Sequence, residues 1–69
     1  MPLGTVKWFN TTKGFGFIEP EGGGNDVFVH ISAVEQAGMT SLADSQKINY
    51  KLVEGRDGRE MAGALTVAD

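Results

Sequence analysis

Four rings lie at spacings that put them on one side of two neighbouring strands: Phe15 and Phe17 in Lys13-Gly14-Phe15-Gly16-Phe17-Ile18, Phe28 and His30 in Asp26-Val27-Phe28-Val29-His30. Successive side chains of a strand point to opposite faces, so Phe15 and Phe17 share a face that Ile18 does not. In the second segment Val27 and Val29 are the natural core pair, because Asp26 and His30, in the same row as Phe28, would be costly to bury. Paired as a hairpin, the two segments hold Phe15, Phe17, Phe28 and His30 in one patch open to water, and exposed apolar patches of this kind mark binding sites. Flat rings displayed together suit planar ligands, and single-stranded nucleic acid fits because every base offers a π-face regardless of identity. Lys7 and Lys13, at the margin of the patch, suit phosphate. Each stacked base contributes on the order of 1–3 kcal/mol, so about three or four stacks reach micromolar binding with little help from charge.

Nothing in the chain assembles a catalytic or metal centre. His30 is the only histidine and there is no cysteine, so neither a zinc site nor a nucleophilic triad can be built. Gly22-Gly23-Gly24 lacks the Lys-Ser/Thr and the helix of a phosphate-binding loop and reads as a flexible hairpin connection. Glu19 and Glu21 flank that loop without a cleft to hold a substrate. The expectation is a binding module, not an enzyme, with no cofactor, metal or small-molecule substrate. A single strand aromatic is more often core than platform. Four rings on one alternating face reverse that judgement.

The elements that position these rings are short. Glycine-punctuated apolar alternation, with no long 3.6-residue period, predicts an all-β chain with strands over Leu3 to Asn10, Gly14 to Glu19, Asp26 to Ile31, Lys47 to Glu54 and roughly Glu60 to Val67. Turn residues separate them at 10–13, 20–25 and 55–58. Ile48, Tyr50 and Leu52 are expected to point inward. The stretch from Ser32 to Ser45 suits a long connection with one helical turn capped by Ser32. Five short antiparallel strands close most economically into a small barrel, which hides the sheet edges. The first strand poses a difficulty, since Trp8 shares the parity of core residue Val6; a bulge near Trp8 lets both Lys7 and Trp8 reach the binding face.

The 69 residues make one domain, 1–69, with a core small enough that stability should be marginal. Absence of cysteine fits a reducing compartment. The N-terminus has no signal-peptide pattern and no apolar run approaches the roughly 20 residues of a membrane span, so the expectation is a cytoplasmic monomer without membrane contact. A formal charge of −3 argues against binding by phosphate neutralisation alone. All nine carboxylates, however, lie at Glu19 or beyond, leaving the segment with Lys7 and Lys13 free of acid.

Three blocks in order, Gly4-Thr5-Val6-Lys7-Trp8-Phe9-Asn10, Lys13 to Ile18 and Asp26 to His30 followed by Ser32-Ala33, resemble a bacterial cold-shock protein over nearly the whole chain. The Lys13-Gly14-Phe15-Gly16-Phe17 string also fits an RNA recognition motif, but that fold needs helices and residues this chain lacks. The resemblance implies a five-stranded OB-like β-barrel that binds single-stranded RNA and DNA, melts RNA secondary structure and modulates transcription or translation. It implies an outward Trp8 and a binding face of Lys7, Trp8, Phe9, Asn10, Lys13, Phe15, Phe17, Asp26, Phe28 and His30, with Phe9 part-buried. Trp8, Phe15, Phe17, Phe28 and His30 stack, Lys7 and Lys13 meet phosphate, and Asn10 and Asp26 offer hydrogen bonds to base edges; Asp26 as a simple turn cap stays open. Arg56, in the last turn, is a weaker transfer. Ile31 and Met39 stand where relatives commonly carry aromatics, Ser45 where a glycine is usual, and Gly58-Arg59 where Gly-Pro is common. These departures imply a shorter footprint. The competing reading is an SH3-like module gripping a peptide with the same rings, which the acidic charge favours and the pairing with His30 does not.

Overall fold

A computed structural model describes residues 3–55 and 58–68. Five strands and one short helix follow in the order β1 (Leu3–Asn10), β2 (Phe15–Pro20), β3 (Val27–His30), α1 (Ile31–Gln36), β4 (Lys47–Glu54) and β5 (Glu60–Val67). They close into a barrel in the order β1-β2-β3-β5-β4, with β4 returning to β1. Four of the five seams are antiparallel; β3 and β5 run parallel, because the crossover through α1 and β4 brings the chain back in the direction it left.

Alternation fills the interior. Val6, Ile18, Val29, Ile48, Tyr50, Ala62 and Leu65 point inward from the strands, and Ala33 and Val34 of α1 join them with Leu42 from the following loop. Leu52 departs from expectation. It lies across from buried Ala62, but it reaches an open end of the barrel beside Pro20, Val27 and Tyr50 and stays 44% exposed.

Helix α1 also starts differently. His30, not Ser32, is its N-cap: the His30 backbone is extended and its ring accepts the Ser32 N–H, at 3.1 Å. An imidazole nitrogen thus does what Ser32 was expected to do, and Ile31 leaves β3 to become the first helical residue.

Two irregularities bend the barrel. Between Val6/Ile18 and Trp8/Phe17, β1 carries one extra residue, Lys7. Between Asn49/Thr66 and Lys51/Gly63, β5 carries one residue more than β4, and Ala64 there adopts φ 49°.

Candidate nucleic-acid interface

The β1 bulge decides which rings share a face. Val6 opposes Ile18 and both point inward; with Lys7 bulged out, the next pair is Trp8 with Phe17, which points outward. Parity beyond the bulge is inverted, so Phe9 pairs with Gly16 on the inner side and packs against the core, while Asn10 pairs with Phe15 outside. Gly16 permits this close approach: a Cβ there would run into the Trp8 carbonyl oxygen and the Phe9 ring.

Two cross-strand rows result. One runs Trp8–Phe17–Phe28 and the other Asn10–Phe15–His30. Trp8 packs edge-on against Phe15 and Phe17, with centroids 5.6 and 5.4 Å away. Phe28 stacks on Phe15 at 5.8 Å and meets Phe17 edge-on at 5.9 Å, with His30 tilted against it at 6.4 Å. Trp8 is 40% exposed and the three phenylalanines are half-buried, so each ring is held by its neighbours while part of it remains open. Mutual packing of this kind removes in advance rotamer entropy that a ligand would otherwise have to overcome.

Polar groups ring the patch. Lys7 Nζ donates to Asp26 Oδ2 at 3.2 Å, so the expected phosphate ligand and the expected base-edge acceptor hold one another; both are exposed. Asn10 Oδ1 accepts the Lys13 N–H at 2.9 Å and closes the β1–β2 turn, which leaves the Asn10 amide NH2 as its donor for a ligand. The Nδ1 of His30 accepts the Ser32 N–H, which places the ring proton on Nε2. Ser32 Oγ adds a second contact to Nδ1 at 3.0 Å.

Of the remaining candidates, Lys13 is exposed at the β1–β2 turn. Ile31 is half-buried, its N–H on the Gly14 carbonyl. Met39 packs against the core, its N–H on the Val34 carbonyl, and so faces the hydrophobic interior rather than joining the ring cluster. Arg56 lies outside the described residues. Sequence reasoning passed over Met61: it pairs with Phe28 across the parallel β3–β5 seam and alternates with buried Ala62, so it stands on the outer surface beside that ring. Its parity was readable; its neighbour was not.

Among the described residues no set of three His, Asp or Glu side chains is grouped to hold a metal, and no helix is long and apolar enough to cross a membrane.

The sequence profile of the 'Cold-shock' DNA-binding domain matches residues 3–67. The chain belongs to the cold-shock domain family. It is 63% identical over 62 residues to a probable cold shock protein of Sinorhizobium fredii, covering 90% of each chain. Against the cold shock protein CspA of Rhizobium meliloti identity is 56% over 69 residues, covering 99% of this chain and 100% of the relative. A cold shock protein CspA of Staphylococcus saprophyticus is 54% identical over 65 residues, covering 94% and 97%. The closed five-stranded ring is the OB-like fold of the cold-shock domain, and nucleic acid is the partner class of this non-enzymatic family.

Proposed function

We propose that this cold-shock domain binds single-stranded RNA and DNA as a cytoplasmic monomer, stacking bases on Trp8, Phe15, Phe17, Phe28 and His30. The observation that carries the reading is the partly open ring cluster, locked by edge-to-face and stacked contacts and displayed on one side of the barrel. A duplex hides its base faces inside the helix, whereas a single strand presents them, so stacking selects unpaired segments and traps RNA in its melted form. From that follows action as a nucleic-acid chaperone and as a regulator of transcription or translation. Lys7, Lys13 and Arg56 supply phosphate contacts, and Asn10 and Asp26 hydrogen bonds to base edges. Phe9 contributes from beneath, by supporting the face, and Ile31 supplies aliphatic contact in place of a ring, whereas Met39 is turned to the core and supplies none.

Titration of Trp8 fluorescence with heptathymidine and heptauridine at two salt concentrations tests the proposal. Saturable quenching, with a log-affinity slope of about −0.7 per phosphate for some two or three phosphates, is the expected result. Absence of quenching and of competition by either strand at high micromolar concentration overturns it.

A further inference from the structure

The outer row of the barrel does not end at Phe28. Strand pairing continues it without a gap: Trp8 opposes Phe17, Phe17 opposes Phe28, Phe28 opposes Met61 and Met61 opposes Val53. Aromatic contact on β1, β2 and β3 thus passes into aliphatic contact on β5 and β4. Val53 is 39% exposed, and Met61 is half-buried. Met61 lines a surface depression together with His30, Ser32, Glu54 and Gly55, so this hollow opens at the end of the ring cluster. One cross-strand step further along the same two strands, Glu54 stands opposite Glu60, both exposed.

We infer that this depression is an additional base subsite, in which the Met61 thioether replaces an aromatic ring as the platform for one more nucleobase of the bound strand. The inference rests on the stacking reading above. Continuity with the Phe17–Phe28 row identifies the occupant as a base of the same strand, since one leaving Phe28 meets Met61 next. Methionine is well suited to such a platform, because its polarisable sulfur packs favourably against π-systems and its unbranched chain adapts to different rings. Charge sorts the strand's parts. The carboxylates of Glu54 and Glu60 disfavour phosphate within the hollow, so the base enters it and the phosphate stays outside. Glu54 also gives the hollow an acceptor-only wall, which favours a base that presents an amino group, such as cytosine or adenine, over thymine.

A length series of deoxycytidine oligonucleotides, titrated against Trp8 fluorescence, tests this with the parent, Met61→Ala and Glu54→Gln. Met61 is on the surface, and circular dichroism checks that Met61→Ala remains folded. In the parent, affinity should keep rising for about one nucleotide beyond the length at which Met61→Ala levels off. For the longest strands Met61→Ala should bind about three- to tenfold more weakly, and for the shortest equally well. The Met61 ε-methyl proton resonance should move upfield on binding the long strand only, under the ring current of a stacked base. Glu54→Gln should narrow any preference for cytidine over thymidine strands. Equal affinity of parent and Met61→Ala at every length, with an unmoved methyl signal, overturns the subsite while the quenching itself leaves the stacking reading standing. Failure of the parent to quench with any strand overturns both. A methyl shift that follows protein concentration instead of added strand assigns the surface to a second copy of the chain and also overturns the proposal.

Discussion

Lys7 Nζ lies 3.2 Å from Asp26 Oδ2, an ion pair that bridges the bulge of β1 and the residue just before β3. With side chains 45% and 37% exposed, the pair contributes only about 0.2–1 kcal/mol to the fold. Its larger effect is on the ligand, because a phosphate has to compete with Asp26 for the ammonium group. Asp26→Asn releases Lys7. Binding of heptathymidine should tighten several-fold at low salt, and the log-affinity slope should steepen by about 0.7, one further phosphate contact. An unchanged slope would show that Lys7 makes no phosphate contact even when free.

His30 serves two structures at once, the ring cluster and the start of α1. The two roles separate by substitution. His30→Ala loses the cap as well as the ring and should cost about 1 kcal/mol of stability together with reduced affinity. His30→Asn supplies a side-chain oxygen for the Ser32 N–H, so the fold should be close to the parent in urea while affinity falls as in His30→Ala. Equal destabilisation by both variants would count against the capping role. In the parent, nitrogen-15 spectra should show the imidazole proton on Nε2.

Gly16 has a steric duty that no side chain can meet. A methyl group there collides with the Trp8 carbonyl oxygen and with Phe9, both backbone-anchored on β1. Gly16→Ala should destabilise by roughly 3 kcal/mol, the upper part of the range for overpacking. The measurement is denaturant unfolding, and in a domain this small the loss removes most of its stability. The bulge should yield as β1 moves away, with a change in Trp8 emission already in the folded state.

Ser45 adopts φ 66°, a left-handed conformation that costs a non-glycine residue about 1 kcal/mol or more. Ser45→Gly relieves it, while greater freedom of the unfolded chain takes back part of the gain. A net stabilisation of about 0.5–1 kcal/mol is expected in urea unfolding. Affinity for heptathymidine should not change, since Ser45 lies in the loop hydrogen-bonded to Val6 on the inner side of β1.

Much of this arrangement is legible in residue order. Period-two alternation separates Val27 and Val29 from Phe28 and His30, and it needs only local backbone geometry to do so. Strand extents follow within a residue at every end, β3 included, where Asp26 stays outside and Ile31 turns helical. What alternation cannot report is where a strand stops being regular or where the barrel opens. The outward Trp8 required a family resemblance, because an inserted residue inverts parity without altering local composition; the structure locates that insertion at Lys7. Leu52 obeys its parity and is still exposed, because burial depends on what covers a position and not on which way it points.

The class of fold, the ring set Phe15, Phe17, Phe28 and His30 and the lack of cysteine chemistry are therefore written in residue order, all properties carried by single residues and their immediate neighbours. It takes the folded chain to pair Lys7 with Asp26, to make His30 the cap of α1 and to stand Met61 beside Phe28. Each of these joins segments that are distant in sequence or changes hydrogen-bond ownership at a junction. The parallel β3–β5 seam is the clearest case: more than 30 residues separate Phe28 from Met61, and it is closure of the ring that makes them neighbours.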